Sequence, residues 1–147
     1  METLHVARRF APTALLLGNF VTGTSVLAPA GLLSELSSDL DVGIREAGLL
    51  ITFGAIMLCI GSPLTAWLTS RIERRTLLTA TLAVLALTNA ASAFAPDYLS
   101  LMIIRLVMLA VGALYTPQAT GTVALIVPVE KRGSTIAFIF FGWSLAA

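Results

Sequence analysis

The sequence predicts an all-α fold, a polytopic bundle of membrane-spanning helices, and three observations predict it. Of 147 residues, 57% are hydrophobic and 12% charged, with a mean hydropathy of +0.93; soluble domains carry about twice that charged fraction. Four stretches reach the roughly 20 apolar residues that a helix needs to cross about 30 Å of hydrocarbon: residues 10–33, 47–69, 76–95 and 98–127. The connections between them are short and alternate in charge, as expected of antiparallel neighbours in a bundle.

The first stretch carries Asn19, Thr22 and Ser25 at three-residue intervals, so they share one helix face. They either line a cavity or hydrogen-bond to a neighbouring helix, and both readings stay open. Arg8 and Arg9 before this run resemble the start of a secretory signal, but the run is longer than a signal core of about 7–15 residues and holds polar groups, so it reads as a span. In the second stretch Gly48, Gly54 and Gly61 read as packing sites and Trp67 as an anchor at the interface. Ala80, Ala83, Ala86, Ala90 and Ala93 of the third recur at helical spacing and read as a packing stripe. The fourth stretch would measure roughly 45 Å at about 1.5 Å per residue, so it must tilt, overrun the interface or bend, with Pro117 as the bending point. A fifth run, from Ser134 to Ala147, reaches only about 21 Å, which reads as a helix cut short.

Charge asymmetry gives the orientation. The loop 34–46 holds Glu35, Asp39, Asp41 and Glu46 against Arg45, whereas the next holds Arg71, Arg74 and Arg75. The turn at Pro96 and Asp97 has no basic residue; the one after Pro128 has Lys131 and Arg132. With Arg8 and Arg9, seven of the nine basic residues fall on one side, which the positive-inside rule makes cytoplasmic, N-terminus included.

Enzyme chemistry finds no footing here. His5 is the only histidine and lies in the polar tail, and Cys59 is the only cysteine, so no metal cluster, cofactor site or triad is expected. A net charge of +1 points to no nucleic-acid partner. The residue of most interest is Arg105, because a charge inside a span costs several kcal/mol unless it meets protein, water or a counter-charge. It either snorkels to the outer interface or faces a polar cavity. Tyr115, Gln118 and Thr120 around Pro117 favour the cavity. Trp143, near mid-membrane if the fifth helix starts at Ser134, suits packing or cavity lining.

The stretch Gly61-Ser-Pro-Leu-Thr-Ala-Trp-Leu-Thr-Ser-Arg71-Ile-Glu-Arg74-Arg75 resembles the signature loop of the major facilitator superfamily, G-x-L-A-D-R-x-G-R-R. Arg71, Arg74 and Arg75 match its basic positions; Ala66, Ser70 and Glu73 replace its first glycine, aspartate and second glycine. In the family that aspartate helps fasten the two halves of the transporter, a contact Ser70 does not supply. Arg105, Gly112 and Tyr115-Thr-Pro-Gln118 are similar to the second motif of the drug:proton antiporter branch, which includes arabinose-efflux-like permeases, although Met108 and Leu109 stand for its Gln-Gly pair. There the embedded arginine is associated with proton coupling. Gly23-Thr-Ser25 through Gly31-Leu-Leu33 looks like the branch's first helix, with Ser25 where many relatives hold an acid. Gly142-Trp-Ser-Leu-Ala-Ala147 resembles the opening of its fifth.

The resemblance implies the N-terminal portion of one half of a secondary transporter in the bacterial inner membrane. Its partners would be protons, a small organic solute (drug or sugar-like), the lipid bilayer and the remaining C-terminal helices. The expected activity is proton-coupled efflux by alternating access. Two other readings need less: a small four-helix dimeric carrier, whose first-span carboxylate this chain lacks, or a non-transporting membrane scaffold. Arg71, Arg74 and Arg75 are expected to act as a cytoplasmic gating loop, and Arg105, Asn19, Thr22, Ser25, Tyr115 and Gln118 to line the cavity or couple protons.

Overall fold

A computed structural model describes the backbone of residues 2–69 and 71–147, and the side chains of residues 10–147 other than 66 and 70. The side chains of Arg8 and Arg9, used above for orientation, lie outside the described residues, as does Ser70. Seven helices make up the described chain: α1 (Glu2–Gly31), α2 (Leu33–Asp39), α3 (Ile44–Leu68), α4 (Arg74–Ser92), α5 (Tyr98–Gly112), α6 (Tyr115–Ile126) and α7 (Val129–Ala146).

Three segments are long and apolar enough to cross a membrane: Phe10–Gly31, Ile44–Thr65 and Tyr98–Ile126. Four were expected. The 19 residues of α4 have the length, about 28 Å, but Arg74, Arg75, its threonines and Asn89 leave it less apolar than the other three. The acidic loop contains α2, a two-turn helix packed on α3, and Asp41 closes the turn after it with φ 50°, a left-handed conformation that aspartate tolerates better than most residues.

The long fourth stretch breaks at Ala113 and Leu114, one turn before Pro117. The cause is covalent: Pro117 has no N–H to give the Ala113 carbonyl, and its ring crowds that turn. Leu114 N–H turns to the Val111 carbonyl instead, 3.1 Å away, a tighter i→i−3 bond.

Polarity runs opposite to that of a soluble domain. Leu64, Leu87, Phe94 and Leu99 face outward, while Asn19, Thr22, Ser25, Thr81 and Arg105 are buried between helices. Two apolar clusters hold the bundle: Leu15, Tyr115, Ala119, Val123 and Ile139 join α1, α6 and α7, and Leu85, Met108 and Leu109 join α4 to α5. Helix α1 packs most extensively along α7, where Gly142 lets the backbones meet; a Cβ there would lie 2.5 Å from the Leu16 carbonyl oxygen and 2.9 Å from the Phe20 nitrogen. Gly54 and Gly61 do face α5 and the break beyond it, but a Cβ at Gly48 would meet none of the described residues of another helix.

The alanine stripe corrects its sequence reading. Ala80, Ala83, Ala86, Ala90 and Ala93 are all exposed, and α4 packs instead through Leu77, Thr81 and Leu85. Helical spacing places residues on one face without saying which way that face points, and here larger side chains interlock with α5.

Candidate functional site

Two polar clusters cross the bundle interior, both rooted on the α1 face that carries Asn19, Thr22 and Ser25. The first begins at Asn19, which is fully buried. Its Nδ2 donates to the Ile139 carbonyl of α7 at 3.2 Å, and its Oδ1 accepts from the Thr116 hydroxyl of α6 at 3.0 Å. Trp143 Nε1 in turn donates to Thr116 Oγ1 at 3.3 Å. Every proton in this chain is fixed, because an indole N–H only donates and a backbone carbonyl only accepts. Thr116 must therefore accept from Trp143 and donate to Asn19.

The second cluster lies six residues further along α1, about 9 Å. Arg105 of α5 is only 6% exposed. Its Nη2 donates to the carbonyls of Val26 at 3.2 Å and Ser25 at 3.4 Å. Proline chemistry explains the second acceptor: Pro29 lacks the N–H that would otherwise bond back to Ser25, so that carbonyl is open to a donor from another helix. Asn89 of α4 donates to Ser25 Oγ at 2.9 Å, drawing a third helix in. Arg105 Nε is buried without a partner among the described residues.

The remaining expected residues are placed differently. The Thr22 hydroxyl bonds back to the Gly18 carbonyl at 2.8 Å, within its own helix. Tyr115 is buried with its ring against Gly18, where any Cβ would collide with the phenol. Gln118 is half-buried, and its side chain joins neither cluster. Of the three loop arginines, Arg71 is exposed, Arg74 lays its guanidinium over Gly121 of α6, and Arg75 borders an apolar groove between α1, α4 and α6. They do not form one cluster.

Thr116 and Asn89 were not singled out by the sequence, and Trp143 was left between packing and cavity lining. The structure places Trp143 on the wall of an open cleft of about 430 Å³, with Leu58 and Ser62 of α3, Thr116 and Thr120 of α6, and Phe140 of α7. The cleft lies beside the first cluster. At the opposite end of α5, Asp97 caps the helix by accepting from the Ser100 amide at 2.8 Å, and this bond, with a second from the Ser100 hydroxyl, holds its carboxyl below the usual carboxylate range. Tyr98 ties the same end to α3 through a 2.7 Å bond to the Glu46 carbonyl.

Comparison with known proteins agrees with this architecture. The sequence is similar to the inner membrane transport protein YdhP of Escherichia coli (strain K12), 36% identical over 133 residues, which are 90% of this chain and 34% of that protein. A chloramphenicol resistance protein of Streptomyces lividans is 32% identical over 84% of this chain and 32% of its own length. The multi-drug resistance efflux pump PmrA of Streptococcus pneumoniae is 30% identical over 85% and 32%. The chain thus spans about a third of the length of these relatives. No solved structure matches it. Residues 15–147 match the model of the Major Facilitator Superfamily, and with that match across nearly its whole length the chain belongs to this family of multi-pass membrane transporters, not to an enzyme family.

Proposed function

We propose that the chain supplies part of one half of a proton-coupled efflux transporter, which expels a small organic solute by alternating access between two helix bundles. The observation that carries this reading is Arg105. A guanidinium held in the bundle by two carbonyls of α1, with its Nε–H buried and without a partner among the described residues, is costly to keep there. A charge retained at that cost in a transporter family suits a role in coupling. The names of relatives, chloramphenicol resistance, probable sugar efflux and multi-drug efflux, support export of organic solutes.

In this reading α4 crosses the membrane as the third span and α7 opens the fifth. The ends bearing Arg71, Arg74, Arg75, Lys131 and Arg132 are cytoplasmic. Arg74, lying over Gly121, clasps α4 to α6 at that end and is the loop arginine best placed for gating.

The test uses the full gene product in sealed vesicles with an imposed pH gradient. Arg105→Ala is expected to lower gradient-driven efflux at least about tenfold at unchanged membrane abundance, and Arg105→Lys to retain part of it. Undiminished efflux by the alanine variant would reduce Arg105 to a packing element.

A further inference from the structure

The cleft between α3, α6 and α7 has a composition that selects a chemical class. Its walls include two aromatic faces, Phe140 and Trp143, and no ionisable residue among the described residues. Its side-chain polar groups are three hydroxyls and the Trp143 indole N–H, beside the Ala113 carbonyl that Pro117 leaves open, and the bond partners of two hydroxyls are already settled. Thr116 gives its proton to Asn19 Oδ1 and accepts from Trp143, which leaves one lone pair. Thr120 shares its proton between the carbonyls of Pro117 at 2.9 Å and Thr116 at 3.1 Å, which leaves both lone pairs. The α6 wall is thus acceptor-rich with no proton to give; only Ser62, opposite on α3, is free to rotate into either role.

We infer that this cleft binds an uncharged aromatic solute that carries a hydroxyl or amide N–H, with the ring against Phe140 and Trp143 and its donor on Thr120. The inference rests on the efflux reading above and adds the substrate class. A volume of about 430 Å³ is within the range of small-molecule sites, about 300–1,000 Å³. An ether of the same shape would set its oxygen against the Thr120 lone pairs and leave both acceptors unpaired, and such mismatches are where polar sites discriminate most sharply. A quaternary ammonium gains from the aromatic faces, but the described lining holds no carboxylate to balance it, and the buried charge among the described residues, Arg105, is itself a cation.

Three matched probes test this: naphthol, its methyl ether, and naphthyl-trimethylammonium, each titrated by equilibrium dialysis against the purified full gene product. Naphthol is expected to bind about tenfold or more tighter than the ether, a difference of about 1.4 kcal/mol, with the ammonium weakest. Thr120→Val should bring naphthol down to the affinity of the ether and leave the ether unchanged, while Thr120→Ser keeps the preference. A merely structural threonine would lower both together. Equal binding of naphthol and ether by the parent, tightest binding of the ammonium, absence of binding, or a parallel loss in the valine variant each overturns the assignment. Flux of the same probes under a pH gradient separates the two readings. Selective binding without flux defeats the efflux proposal and leaves the cleft chemistry standing; flux that prefers the ammonium does the reverse.

Discussion

Gly142 sets how closely α7 approaches α1, since the Leu16 carbonyl and Phe20 nitrogen leave no room for a side chain. Gly142→Val should lower stability by about 1–3 kcal/mol, as overpacking generally does. Gly133→Val is the control, because a Cβ there would meet no described residue within 4 Å beyond its own stretch of helix; equal thermal unfolding midpoints for the two variants in detergent would refute the argument. Asp97 offers a second residue-scale expectation. Its folded pKa lies below the unfolded value, so the cap's contribution is complete above the unfolded pKa and is lost as pH falls through the folded one. Asp97→Asn should therefore flatten the acid limb of a stability-against-pH curve, read as thermal midpoint. The shared face of Asn19, Thr22 and Ser25 was legible from spacing alone. Thr116 was not, because its partners lie on α1 and α7, and helix crossing, not sequence separation, brings them together.

Two prolines shape elements by what they fail to donate. Pro117 frees the Ala113 carbonyl and breaks the long fourth stretch into α5 and α6, while Pro29 frees the Ser25 carbonyl for Arg105. Pro29→Ala restores a competing N–H, so efflux by the full gene product is expected to fall several-fold with thermal stability unchanged or raised. Equal loss of stability and efflux would mean that the proline serves only packing. That the chain folds as helices was readable from its apolar runs, although α1 begins eight residues before the run that marked it; Pro117 was readable as a bend, and α2 was hidden inside an acidic loop. The outward face of the α4 alanines was not readable, since periodicity carries no sign.

For the molecule as a whole, the proposed orientation is open to direct labelling. Cysteines placed at Asp97 and Glu73 in a Cys59→Ser background should react with impermeant thiol reagents from opposite sides of the membrane, with the Asp97 site outside. Labelling of both from outside would reverse the proposal for the arginine loop. Residues 1–147 reconstituted alone should give no saturable, gradient-dependent flux, because alternating access needs a second bundle to rock against the first. Such flux from the purified segment would favour the small dimeric carrier instead.

The bond between Asn19 and Ile139 spans 120 positions of sequence, and a ribosome adding about 5–20 residues per second takes on the order of ten seconds to cover them. Through that interval α1 is already made, while the carbonyl that answers its asparagine does not yet exist. The helix meanwhile carries an amide that lipid cannot satisfy. Biogenesis is thus expected to favour keeping α1 beside water or the insertion machinery until α7 arrives, and slowing translation between the two should make the nascent chain more prone to degradation.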